Sequence, residues 1–257
     1  IFPSAPQMWR QTNHKPEAIA KFRELHAEST IGSVWLHNIY LANLAADTPE
    51  HLEKSIGAIV NALTVADAIG ADGVVLHTGS HKGAGMDAVV DQVSEALTRI
   101  LEEAPGNAIL ALENAAGQGG AIGKEFSELG MLIERVKSPR LQVCLDTCHT
   151  LAAGYDISTP EGVAATVAEF DSAIGLDRLA VLHANDSKME LGGLRDRHEN
   201  IGEGFIGTAG FEAMLAHPAF KGKVLLLEVP GFPGDDGEKA DGPDLENEHR
   251  LKKIRDA

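Results

Sequence analysis

Basic residues are scarce in this 257-residue chain: 22 Lys and Arg stand against 38 Asp and Glu, a formal net charge of −16. A protein that coats nucleic acid nonspecifically needs a basic surface, so composition leans away from that class. A local basic groove, or a deficit cancelled by cations bound to carboxylates, stays open. Cysteine is nearly missing. Cys144 lies in the run Leu141-Gln-Val-Cys-Leu-Asp146, which reads as a buried strand, and Cys148 follows it. Two reduced thiols in a cytoplasmic protein are expected, rather than a disulfide or a zinc–thiolate pair. No apolar stretch approaches the roughly 20 residues that span a bilayer, and no charged-then-apolar leader opens the sequence. The first residue is Ile1 rather than Met. No Pro- or Ser-rich linker divides the chain, so residues 1–257 read as a single domain with length enough for a large core.

What is present is a repeating unit of a short apolar run, a polar or Gly-rich loop and a segment of helical period. The apolar runs are Gly32–Leu36, Gly73–Leu76, Ala108–Leu112, Leu141–Leu145, Leu179–Leu182 and Val224–Leu227. Between them, Pro49–Gly70, Asp87–Glu103, Phe126–Val136 and Pro160–Ile174 repeat apolar residues at i, i+3, i+4 and i+7, and a first helix is expected near Pro16–Glu28. Thr48-Pro49 and Thr159-Pro160 each offer an N-cap followed by Pro in the first turn. Continuous apolar strands alternating with helices call for a parallel sheet covered on its faces. Ile1-Phe2 reads as the stub of a further strand.

Each apolar run ends in a potential metal ligand: His37, His77, Glu113, Asp146, His183 and Glu228, spaced by 33 to 45 residues, near one strand–helix unit each. In a parallel barrel such positions gather at the C-terminal face, where active sites of that fold lie. Several buried carboxylates in one mouth would repel each other and take up protons unless cations joined them. Mixed imidazole and carboxylate shells suit zinc or manganese. Loops add His149, in Asp146-Thr-Cys-His149, and the pair Asp196 and His198, which an extended backbone places on one side.

Five segments together resemble the endonuclease IV family: His77-Thr-Gly-Ser-His81, Glu113-Asn-Ala-Ala-Gly-Gln-Gly119, Asp146-Thr-Cys-His-Thr-Leu-Ala-Ala-Gly-Tyr-Asp156, His183-Ala-Asn-Asp-Ser-Lys188 and Asp196-Arg-His-Glu-Asn-Ile-Gly-Glu-Gly-Phe-Ile-Gly207. They run in family order along essentially the whole chain. The resemblance implies a (β/α)8 TIM-type barrel with three zinc ions, Mn2+ being an alternative at one or more sites. It assigns His37, His77 and Glu113 to the first ion, and Glu113, Asp146, His183 and Glu228 to the second. His149, Asp196 and His198 go to the third. The implied reaction is hydrolysis of double-stranded DNA 5′ to an abasic site, leaving a 3′-hydroxyl and a 5′-deoxyribose phosphate. Glu113 is its catalytic carboxylate, and trimming of blocked 3′ ends is a second expected activity. Tyr40 matches a residue that enters the vacated base stack, and Pro6-Gln7-Met8-Trp9, with Gln7 and Trp9 as DNA contacts, stands where the family's DNA-penetrating loop commonly has Arg just before a Trp.

Thr78, Leu151 and Ala184 also depart from the usual residues. The family's first strand and helix, about thirty residues, have no counterpart before Ile1. A barrel lacking that unit is expected to carry two open edges, beside Ile1-Phe2 and beside Val224–Glu228, and to self-associate through them. The sequence carries no signal for a particular oligomeric state. Two other readings fit parts of the pattern. Glu113, Asp146, His183 and Glu228 alone match the single-metal set of sugar isomerases and epimerases of the related barrel class. An inactive truncated barrel that binds DNA or zinc without turnover is the other.

Overall fold

Residues 1–232 and 245–256 are described in a computed structural model. The chain falls into two units, Ile1–Glu113 with Met131–Val143, and Asn114–Gly130 with Cys144–Ala257. The first holds α1 (Pro16–Glu28), β1 (Trp35–His37), α2 (Pro49–Ile69), β2 (Gly73–His77), α3 (Met86–Glu103) and β3 (Ile109–Glu113). Helix α4 (Phe126–Val136) and strand β4 (Leu141–Asp146) are each divided between the units. The second unit continues with α5 (Thr147–Ala153), α6 (Pro160–Ala173), β5 (Leu179–His183), β6 (Asp186–Ser187) and β7 (His198–Glu199). It ends with α7 (Gly207–Ala216), β8 (Val224–Leu226) and α8 (Leu245–Arg255). Among the described residues, no helix is long and apolar enough to cross a membrane.

In the first unit β1, β2 and β3 pair in parallel, with Trp35 opposite Gly73 and Gly73 opposite Ile109. Val74, Val75, Leu76, Leu110, Ala111 and Leu112 are buried, as expected of a sheet covered on both faces. Gly73 is a close-approach position, since a Cβ there would meet the Ile109 carbonyl and the Trp35 ring at 2.5 and 2.6 Å. The strand stub also finds its place: the Ile1 nitrogen donates to the Trp35 carbonyl (2.9 Å), and the Ile1 carbonyl accepts from His37 N–H (2.8 Å). The N-caps behave as read, Thr48 accepting from His51 N–H and Thr159 from Gly162 N–H. Arg140 closes α3 at its other end by donating to the carbonyls of Leu101, Ala104 and Ala108.

Two expectations need correction. The run Gly32–Leu36 yields a strand only from Trp35, because the Asp72 carboxylate takes the Val34 N–H (3.0 Å) and the Ser33 hydroxyl (2.7 Å). The segment carrying His149 is not a loop but helix α5, capped by its own Asp146, whose carboxylate accepts from His149 N–H at 2.7 Å.

In the second unit β5 pairs in parallel with β8, and β6 with β7 in an antiparallel hairpin that sets Ser187 opposite His198. That hairpin and the loop after it hang on Asp186. Its fully buried carboxylate accepts from the backbone N–H groups of Ser187, Gly202, Gly204, Ile206 and Gly207. Burial raises the Asp186 pKa, and the amides oppose that rise. Gly204 has no room for a Cβ, which would collide with the same carboxylate and the Ser187 carbonyl. Asp186→Ala strands these buried donors and is expected to lower stability by about 3 kcal/mol or more. A urea midpoint that does not move would show that water replaces the carboxylate without loss.

Candidate metal centre

Local structure delivers five of the six strand-end residues in one way. The last residue of β1, β2, β3, β4 and β5 is His37, His77, Glu113, Asp146 and His183 respectively. Glu228 is different: β8 stops at Leu226, and the Glu228 N–H leaves the ladder to donate to the Asn185 side chain (2.7 Å). His149 stands in the first turns of α5, and His198 opens β7 two residues after Asp196.

Within the first unit, both imidazoles converge on one carboxylate oxygen. Glu113 Oε2 lies 3.4 Å from His37 Nε2 and 3.2 Å from His77 Nε2, with Glu113 and His37 buried. Within the second unit, Asp196 approaches His149 Nε2 (3.2 Å) and His198 Nε2 (3.1 Å), while Asp146 Oδ2 stands 3.7 Å from His198 Nε2. His183 Nδ1 is 3.1 Å from Glu228 and 3.8 Å from Asp146. The ligand atoms of Asp146, His183 and Glu228 all lie within 4.8 Å of one another, as do those of Asp146, His149 and His198.

These spacings test whether cations fit. Two donors about 2 Å from one tetrahedral zinc sit roughly 3.3 Å apart, and the closest pairs, at 3.1 to 3.4 Å, straddle that value. The ring tautomers agree. A carbonyl oxygen only accepts, so Nδ1 carries the proton in His37 (to Asn38 O, 2.7 Å), His149 (to Asn114 O, 3.0 Å) and His198 (to Glu228 O, 2.8 Å). Each Nε2 lone pair is thereby turned toward the carboxylates, the arrangement typical of metal-bound histidine. His198 Nε2 is buried and makes no hydrogen bond despite the nearby carboxylates. The donors fit divalent cations.

The charges interact strongly. Burial works against an ionised Asp196, but the His149 and His198 rings beside it hold its carboxyl well below the usual range. Burial likewise disfavours charged His198, yet Asp146 and Asp196 push its pKa up to about 9. Cys148 shares a cluster with Asp196 and His198, but burial and the Asp146 charge raise its thiol to about 12, so it is a neutral neighbour. Both cysteines are buried, and neither forms a disulfide.

Two asparagines that sequence reasoning passed over hold these ligands in place. Asn185 Nδ2 donates to Asp146 Oδ2 (2.6 Å) while its Oδ1 takes the Glu228 N–H, so one amide holds the Asp146 carboxylate and the Glu228 backbone. Asn114 accepts the Asp146 N–H (2.7 Å) and donates to Thr150 Oγ1 (3.1 Å). Their only sequence signal was position, one and two residues after Glu113 and His183. Asp196 N–H in turn donates to Gln118 Oε1 (3.3 Å).

Of the aromatic candidates, Tyr40 is exposed and sets its ring 5.3 Å from that of His37 and 6.0 Å from that of His77. The Tyr40 N–H donates to the Pro6 carbonyl (2.9 Å), tying the segment of Gln7 and Trp9 beside it. Gln7 is exposed, and Trp9 packs edge-on against His51 at 5.3 Å.

A parallel sheet with ligands at its strand ends defines a class, and residues 2–252 match the xylose isomerase-like TIM barrel family. Within it, the chain belongs to the endonuclease IV family. It is 40% identical over 230 residues to the probable endonuclease 4 of Natronomonas pharaonis, covering 90% of this chain and 82% of that one. It is 38% identical to that of Staphylococcus aureus, covering 95% and 81%. The crystal structure of endonuclease IV from Thermus thermophilus superposes with a TM-score of 0.82 and 33% identity, over 99% of this chain and 86% of that one. A D-tagatose 3-epimerase-like protein (TM-score 0.73, 20% identity, 94% and 84% covered) shares the fold alone.

Asn185→Ala removes the amide shared by Asp146 and Glu228. It is expected to weaken metal binding 10- to 100-fold, the usual effect of losing such a partner. Chelator competition reads this, and wild-type affinity in a folded variant would show that the ligands orient themselves.

Proposed function

We propose that the chain is a zinc-dependent DNA-repair hydrolase that cuts the phosphodiester 5′ to an abasic site, leaving a 3′-hydroxyl and a 5′-deoxyribose phosphate. Trimming of blocked 3′ ends at the same centre belongs to this reading. The observation that carries it is the donor geometry. Imidazole nitrogens lie 3.1 to 3.4 Å from carboxylate oxygens, and in His37, His149 and His198 a backbone carbonyl turns the ring toward them, in a member of the endonuclease IV family.

In this reading His37, His77 and Glu113 hold one zinc, Glu113 with Asp146, His183 and Glu228 a second, and His149, Asp196 and His198 a third. Mn2+ suits the same donors. When bound, the cations supply Lewis acidity and positive charge to the phosphate undergoing in-line displacement. Glu113 is the reacting carboxylate: it orients the attacking water and receives its proton at a carboxylate oxygen. Tyr40, exposed at the rim of the His37–His77 pair, fills the gap left when the abasic nucleotide leaves the stack, and Gln7 and Trp9 contact the duplex. Buried cysteines that form no disulfide suit the reducing cytoplasm. A single-metal sugar isomerase would leave Asp196, with His149 and His198 against it, without a task.

Elemental analysis and cleavage of an end-labelled duplex with one abasic site test the reading together. Three metals per chain and a cut 5′ to the lesion are expected, whereas one metal and no cut would favour the isomerase. Glu113→Gln should keep the fold and lower kcat by more than tenfold, several kcal/mol of barrier being at stake. A kcat within tenfold of wild type removes Glu113 from the reaction. His198→Ala should lower metal content from three toward two, because a zinc left with only His149 and Asp196 is underbound. Three metals retained at wild-type affinity would refute that assignment.

A further inference from the structure

Helix α8 lies outside every motif so far described, yet it carries a side chain with no exposed surface, Asn247. That side chain is spent on the loop that follows His198. Its Oδ1 accepts the Ile201 N–H (2.8 Å), and its Nδ2 donates to Asn200 Oδ1 (2.9 Å). One turn along, Arg250 donates to the Ile201 carbonyl (2.9 Å) and to Glu203 (2.7 Å), with its guanidinium 4.4 Å above the Phe232 ring. Both backbone groups of Ile201 are thus held by α8.

The chain of bonds continues toward the ligands. Asn200 Nδ2 donates to the Gly231 carbonyl (3.1 Å), three residues after Glu228, and His198 Nδ1 donates to the Glu228 carbonyl (2.8 Å). Asn247, Asn200, Gly231, Glu228 and His198 therefore form a closed clamp. It fixes the loop after His198 against the segment after Glu228. On the metal assignment proposed above, these are ligands of different ions, and their relative placement sets the direction of the His198 Nε2 lone pair.

We propose that Asn247 is a positioning residue for the metal centre, acting through Asn200 and Ile201 on the direction of His198. A leucine at 247 matches the side chain in size but leaves the Ile201 N–H and the Asn200 amide without their partners, so the loop is free to shift. Asn247→Asp keeps the acceptor for Ile201 but replaces the donor to Asn200 Oδ1 with a buried acceptor oxygen.

The test follows zinc release from the loaded full chain to a chromogenic chelator, alongside melting curves of the metal-free protein. Asn247→Leu is expected to weaken one zinc of the set 10- to 100-fold and leave the others as in wild type, with Asn247→Asp weakening the same zinc. Arg250→Met, which frees only the Ile201 carbonyl and the ring contact, should weaken the same zinc by a smaller factor and decides the question if Asn247→Leu does not fold. A purely structural role lowers the melting temperature of the metal-free chain and leaves every zinc at wild-type affinity; that outcome in the folded variants overturns the proposal. His198→Ala separates the two layers. If it too leaves the metal count unchanged, the assignment of His198 itself has failed, whereas loss of a metal in His198→Ala alone removes only Asn247.

Discussion

A carboxylate with no exposed surface, Asp146, sets the terms for the second unit. Burying such a group unpaired costs several kcal/mol, and the neighbourhood is arranged to offset this. Its Oδ1 caps α5 through the His149 N–H, its Oδ2 takes the Asn185 amide, and its own N–H goes to Asn114. Those bonds leave oxygen lone pairs aimed at His183 and His198, whose nitrogens stand 3.7 to 3.8 Å away, too far for hydrogen bonds. The interaction that holds the local fold together thus leaves unspent acceptor capacity pointing at imidazoles. That residual capacity is open to a cation.

The strand ends were legible in the sequence because burial and function impose opposite demands at one residue. Val74, Val75 and Leu76 must be apolar to sit between covering layers, and a metal-binding His77 must not be, so the change of character marks both the end of the strand and the candidate ligand. The same logic misplaced Glu228. Its apolar run ends where expected, but the backbone leaves β8 two residues earlier to bond Asn185, an exchange that no local pattern encodes. Gly32–Val34 were lost from β1 for a similar reason, a distant Asp72 competing for the backbone donor of Val34. His149 was read as a loop residue because α5 has only seven residues, too short for a periodic signal, and owes its start to the Asp146 cap.

Tertiary partners explain the rest of what was missed. The hairpin of β6 and β7 has two residues per strand and exists because Asp186 gathers backbone amides from the loop at 202–207. Nothing about an Asp in Asn-Asp-Ser distinguishes an amide-gathering carboxylate from a solvated one until the glycines around 202–207 bring their N–H groups to it. Asn114, Asn185 and Asn247 pose the same problem, since a buried asparagine is recognised by what it bonds.

The acidity of the chain, which weighed against DNA in the sequence, bears differently on the molecule. Many acidic groups are engaged by bases on the surface: Glu50 with Lys54, Glu53 and Glu103 with Arg99, Asp91 with Arg135. Such pairs add little stability individually, but they remove carboxylates from the long-range field. The remainder is screened beyond about 8 Å at physiological ionic strength. Glu113 in the first unit, and Asp146, Asp196 and Glu228 in the second, sit in donor clusters instead, where bound dications would offset their charge. A phosphodiester approaching within a Debye length responds to that local balance rather than to the sum over 257 residues. Net charge therefore bears on how strongly the chain is drawn to DNA from afar, and the ligand set on what happens once contact is made.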